Sequence, residues 1–302
     1  MTTETDRPGD LSAKAGGALG ALAALGGGLF SRVSRDTATD SILYRVPLAV
    51  AMLSVAFEGW VEGVAESWKS EGTEAIDADL LMEGLDAGLI FCAAALCLFP
   101  KSSRLGVALF ILTAAFFRLP GWMGLANHTW LALWTVPMAV IFSQWWRSDL
   151  YARYLRVTLG VVMLAAFSQK LLAGTYADGS YIFWLSTRGD VTERMFSFAC
   201  DVSTGVPCLA YKLIGLFIVV WQFAVGVLLL LGVRSLIFLT VEVGFLLGAG
   251  LFADEMNFQV LNIALLCVAF QVGMPIWLIL SCLFLLIIDV FTIDYLLTGM
   301  MQ

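Results

Sequence analysis

The chain has 302 residues, of which 60% are hydrophobic and 14% charged, and its mean hydropathy is +0.88. That much apolar surface cannot be buried in one water-soluble globule, so a soluble domain, a disordered chain and a collagen-like fibre are excluded. The net charge of −7 offers nothing to a nucleic acid, and a single histidine, His128, excludes centres built from several His ligands.

The reading is therefore an all-α, polytopic transmembrane helical bundle. Residues 1–40 are polar and then Gly/Ala-rich. Mixed charge at the front, a thin apolar stretch and no small-x-small cleavage site argue against a secretion signal. A mobile or surface-lying N-terminal segment on the cytoplasmic side is expected. Residues 41–302 form a single transmembrane domain. A hydrocarbon core about 30 Å thick takes roughly 17–25 helical residues. Apolar runs of that order occur at 42–57, 80–99, 105–117, 129–146, 151–172, 208–231, 235–252, 256–273 and 275–296. The third is short, so eight or nine spans are expected. Two longer connections, 59–79 and 173–207, separate the runs, and the first is dense in acid.

A cytoplasmic N-terminus puts most basic residues inside, among them Arg45, Lys101, Arg104, Arg153, Arg156 and Arg234, and most acids outside. This is the bias of the positive-inside rule. It predicts a multi-pass protein of the plasma or inner membrane, with both long connections extracytoplasmic. Cys92, Cys97, Cys267 and Cys282 fall within spans and read as small buried side chains. Cys200 and Cys208 flank DVSTGVP in an outside loop. Compartment and spacing predict that they form a disulfide.

Ionisable residues inside lipid are costly and draw attention to function. Glu242 stands in mid-span beside Gly244, Gly248 and Gly250. It reads either as a carboxyl bonded to a neighbouring helix or as a proton acceptor in the bundle core. Asp86, Asp289 and Asp294 lie nearer span ends and read as interfacial. Asn127 and His128 open the fourth span, Ser168, Gln169 and Lys170 close the fifth, and Arg118 and Trp122 fall at the same outer level. His128 alone reads as a hydrogen-bonded helix-end imidazole, and Lys170 alone as a snorkelling anchor. Together at one depth they form a candidate site, in which a desolvated lysine can act as a neutral base. No nucleotide-binding glycine motif and no metal-ligand set is visible, and the tryptophans suit interfacial belts.

Three stretches carry a family resemblance. They are Asn127-His128-Thr129-Trp130-Leu131, QKLLAGTYADGSYIFWL over 169–185, and GLFADEMNFQVLNIAL over 250–265. Residues 155–270 and the Asn-His pair just upstream resemble the HTTM family, the membrane domain shared with vitamin K-dependent γ-glutamyl carboxylase. Arg156, Gly160 and Lys170 also fit the pattern of the small DoxX-type membrane proteins.

The HTTM resemblance implies a reduced quinone, vitamin K or menaquinol, whose oxygenation drives carboxylation or related chemistry at the extracytoplasmic face. It implies Lys170 as the base and His128 as its partner, and the enzyme reading adds Glu242 or Asp178 in orientation. Asn127, Arg118 and Asp178 are the substrate-side candidates. The chain departs from the pattern in two ways. Family members commonly carry a histidine in the span before the third motif, where Glu242 is the nearest ionisable residue. The carboxylase's large luminal part has no counterpart beyond the loops 59–79 and 173–207. A non-enzymatic scaffold or maturation factor for a secreted peptide or membrane-protein partner, using the acidic outer loops, is the alternative. A proton-coupled transporter working through Glu242 ranks last, because no inverted repeat is visible.

Overall fold

The computed structural model describes residues 42–69, 78–120, 127–145, 148–187, 200, 205–253 and 255–299. The expected N-terminal segment 1–40, Trp122, and residues 70–77, 188–199 and 201–204 of the two long connections lie outside the described residues, as do the side chains of Asp289 and Asp294. Among the described residues the chain is helical and has no strand.

The helices are α1 (Ile42–Lys69), α2 (Ala78–Leu98), α3 (Ser103–Thr113), α4 (Asn127–Thr135), α5 (Met138–Trp145), α6 (Ser148–Ala173), α7 (Ser180–Ser186), α8 (Leu209–Leu230), α9 (Leu236–Ala253), α10 (Met256–Ala269) and α11 (Ile276–Gly299). Four segments are long and apolar enough to cross a membrane: Leu81–Leu98, Asp149–Ala173, Leu209–Leu230 and Leu236–Ala253. Tyr44–Phe57, Met256–Ala269 and Ile276–Ile288 are shorter apolar helices.

Four local features differ from a run of plain spans. The helix that begins at Ile42 continues to Lys69, so the first part of connection 59–79 is helical. The short third run is α3 followed by a π-helical turn, Ala114–Arg118, which brings Arg118 inward. The fourth run is broken into α4 and α5 at Val136-Pro137. Proline has no N–H to continue the ladder, and its ring crowds the preceding turn. The connection 173–207 also contains a short helix, α7.

Helix α10 lies at the centre, touching α1, α4, α6, α9 and α11. Met256 and every residue from Gln259 to Ala269 are buried. A helix covered on all sides needs apolar residues on all sides, which its sequence supplies apart from Asn257, Gln259 and Asn262. The outside is equally apolar. Phe116 is 81% exposed and Leu172 88%, and Trp134, Leu209 and Leu231 are also exposed. Water would penalise such a surface, whereas acyl chains would not. Where α6 crosses α8, Gly160 and Gly226 face one another. A side-chain carbon at Gly160 would stand 3.1 Å from the Gly226 carbonyl oxygen, and the converse distance is also 3.1 Å. Small residues at a crossing let two backbones pack closely in lipid.

Candidate functional site at one end of the bundle

The start of α4, the last turns of α6, the turn before α7 and the start of α10 meet around a cavity of about 750 Å³. Asn127, His128, Trp130, Leu131 and Trp134 line it from α4. These positions share a face because residues three and four apart are neighbours on a helix. From α6 the wall runs from Thr158 through Val162 and Ala166 to Gln169, Lys170 and Ala173. That stretch spans about 22 Å at the α-helical rise. It is polar at Gln169 and Lys170 and apolar from Val162 to Ala166. Tyr176, Tyr181 and Glu255 complete the polar end.

The turn after α6 is held by two glycines. Gly179 has φ +82°, a conformation that L side chains rarely adopt, and its position faces the Lys212 backbone nitrogen. Gly215 of α8 lies against the Tyr176 carbonyl, where a side-chain carbon would collide. This close approach sets Tyr176 over the end of α6. Lys170 Nζ lies 5.1 Å from the centre of the Tyr176 ring, a cation–π arrangement. Tyr176 in turn stacks on Tyr181, with centroids 4.3 Å apart and planes at 24°.

Burial first, and then Tyr181 and the Glu255 carboxylate, push the Tyr176 phenol above its ordinary range. It therefore stays a neutral donor across the physiological range. Glu255 precedes α10, accepts a hydrogen bond from Gln259 Nε2 at 2.9 Å, and lies close enough to Lys170 for their charges to attract. His128 is buried. The cavity thus collects an amine, an imidazole, a carboxylate and two phenols. It also has the size and mixed lining of a small-molecule site.

The structure brings Asn127, His128 and Lys170 together and leaves the other candidates elsewhere. Glu242 is buried, accepts a hydrogen bond from Trp221 Nε1 at 2.8 Å, and does not line the cavity. Trp221 packs with Phe217 and Phe245, so the Glu242 carboxyl ties α9 to α8 beside an aromatic cluster. Arg118 is buried in an ion pair with Asp86 at 2.9 Å, and its Nη2 donates to the Val55 carbonyl at 3.1 Å. Asp86 is thus buried, where an interfacial position was expected. Asp178 is exposed and its Oδ1 accepts the Ser180 N–H at 2.8 Å. Those bonds to Ser180 hold its carboxyl below the usual range. Neither Arg118 nor Asp178 lines the cavity.

Cys200 and Cys208 are joined by a disulfide, with their Cα atoms 6.1 Å apart. It tethers the N-cap of α8. Among the described residues no group of three or more His, Cys, Asp or Glu side chains is placed to hold a metal.

Glu255, Tyr176 and Tyr181 lie within the sequence stretches that carry the family resemblance, but were not singled out there as site residues. Their signal was weak: a carboxylate at a helix start and aromatics in a loop are common. No protein-family model, characterised protein or solved structure matches the chain.

Proposed function

We propose that this is a multi-pass membrane protein of eight or nine spans with a cytoplasmic N-terminus, and that its cavity handles a reduced quinone at the extracytoplasmic end. The observation that carries this reading is the meeting of Asn127, His128 and Lys170, remote in sequence, in the wall of one cavity. The lining fits the ligand class. Trp130, Trp134 and Leu131 offer aromatic and apolar surface, the apolar end would take an apolar tail, and the polar end would take ring oxygens. A reduced quinone would supply the two electrons, its reaction with O2 giving the epoxide and water once a ring hydroxyl proton has been removed.

Lys170 is the base in this reading. Its Nζ takes the proton, and the ammonium so formed is stabilised by the face of Tyr176 and by Glu255. His128 and Asn127 orient the substrate oxygens from the opposite wall. Tyr176, held neutral, donates a hydrogen bond and does not compete for the proton. Glu242 has no part in this scheme, and its place as an acidic partner passes to Glu255. The reading keeps the resemblance to HTTM proteins and to the γ-carboxylase membrane domain, with a small acceptor or a secreted peptide as the species modified.

Purified protein in detergent would be given reduced vitamin K or menaquinol with oxygen, and epoxide measured by chromatography and mass spectrometry. Epoxide from the wild type, and none from folded Lys170→Ala or His128→Ala, is the expected result. No epoxide from folded wild type with either quinol would overturn it, and the scaffold or maturation role would take its place.

A further inference from the structure

Away from the polar end of the cavity, Arg156 meets the end of α10, with Arg153 and Arg234 near it. Helix α10 stops in a Schellman turn: the Val272 N–H donates to the Cys267 carbonyl and the Gln271 N–H to the Val268 carbonyl, both at 2.9 Å. The Ala269 carbonyl is taken by Arg156 Nη1 at 2.7 Å, which reaches across from α6 with its side chain buried. Arg153, three residues earlier on α6, is exposed.

The third arginine is delivered by α8. The Leu230 side chain packs onto Gly160, one turn beyond Arg156, which pins the end of α8 to that level of α6. Helix α8 then ends in its own Schellman turn, with Gly232 at φ +75°, the Gly232 N–H on the Leu229 carbonyl at 3.0 Å and the Val233 N–H on the Leu228 carbonyl at 3.1 Å. The chain reverses and presents Arg234, exposed, just before α9. Arg153 and Arg234 both lie close enough to Arg156 for their charges to be felt there.

The surroundings of this cluster are apolar. Val157 and Val161 follow Arg153 at successive turns of α6 and are exposed, and Leu230 and Leu231 precede Arg234 and are exposed too. Positive charge therefore borders a strip of bare hydrocarbon. This matches an amphiphile with an anionic head and acyl chains, and it stands out on a chain whose net charge is −7. Basic recesses between membrane helices favour anionic headgroups, and each Arg near the surface adds to the attraction.

We propose that Arg153, Arg156 and Arg234 form a binding site for the phosphate of one anionic phospholipid, whose acyl chains lie along Val157, Val161, Leu230 and Leu231. Arg156 holds the centre while it caps α10, and Arg153 and Arg234 close on the headgroup from either side. The site is independent of the proposed quinol chemistry.

The test uses native mass spectrometry and thermal melting of the purified full chain. Phosphatidylglycerol, phosphatidylcholine and inorganic phosphate would be compared on the wild type, on R153Q/R234Q, and on K101Q/R104Q, which removes two exposed charges elsewhere. The expected result is one retained phosphatidylglycerol per chain and a raised melting temperature, with phosphatidylcholine and phosphate ineffective. Retention should fall about tenfold or more in R153Q/R234Q and persist in K101Q/R104Q. Equal retention of phosphatidylcholine, an unchanged R153Q/R234Q, or equal loss in both double variants would overturn the proposal. Stabilisation by inorganic phosphate matching that by phosphatidylglycerol would also overturn it, since the site would then be one for a soluble anion.

Discussion

Lys170 Nζ sits 5.1 Å from the centre of the Tyr176 ring, and that ring is stacked on Tyr181. The amine at the end of α6 is thereby held by a loop whose own position depends on α7 and α8. Tyr176→Phe keeps the ring face, whereas Tyr176→Ala removes it. Covalent labelling of Lys170 by an amine-reactive reagent, read by mass spectrometry, should be unchanged in the first variant. It should be several-fold faster in the second, on the scale of a contact worth about 0.5–2 kcal/mol. Equal labelling in the alanine variant would mean that Tyr176 does not restrain the amine.

Gly215 gives the same loop its seat on α8. A methyl group there meets the Tyr176 carbonyl, which is backbone and cannot swing aside. Gly215→Ala should cost about 1–3 kcal/mol, the usual penalty for overpacking, and lower the melting temperature in detergent. An unaltered melt would show that the turn shifts freely.

The Arg118–Asp86 pair ties the π-helical turn to α2, away from the cavity. Removing one partner strands a charge in a dry environment, so Arg118→Met should cost about 3–5 kcal/mol. Asp86→Leu combined with Arg118→Met should recover most of that loss, because paired charges replaced by apolar groups are close to neutral. The test is a double-mutant cycle by thermal melting, and a double variant no better than Arg118→Met would sink this account.

Gln271 occupies the left-handed position of the turn that ends α10, with φ 56°, where glycine is usual. The conformation costs a non-glycine residue roughly 1–2 kcal/mol. Gln271→Gly should leave stability unchanged or raise it by up to about 1 kcal/mol, and Gln271→Val should lower it. A clear loss in the glycine variant would show that the buried Gln271 side chain contributes more than its backbone strain costs.

Asp178 gives a pH dependence of known sign. Its carboxylate accepts hydrogen bonds from Ser180 at the start of α7, and its pKa is lowered by them. The stabilisation is therefore present above the unfolded value of about 3.9 and is lost as pH falls through the lower folded value. Trp184 fluorescence on α7 should change over that acid range in the wild type. In Asp178→Asn, which keeps an acceptor but does not titrate, this component should be missing. Superimposable titrations would show that the bonds between Asp178 and Ser180 do not stabilise α7.

How much could be read without coordinates depended on the physical signal. Helical class followed from apolar runs too long and continuous for barrel strands. The shared end of His128 and Lys170 followed from counting crossings, since alternate helix ends lie on one side. The break at Pro137 was written in the chain, yet a window of hydropathy passes over a proline that only backbone hydrogen bonding registers.

The direction in which each side chain points was another matter. A helix apolar on every face, as α9 is, carries no stripe to say which residues meet a neighbour and which meet lipid. Only packing sent Glu242 to Trp221, Arg118 to Asp86, and Glu255 and Tyr176 to Lys170. By itself, the sequence determined that this protein is helical and apolar enough for a membrane, and which residues share an end of the bundle. The tertiary structure alone decided which of them share a cavity, because contacts between helices are set by close packing of whole faces and not by distance along the chain.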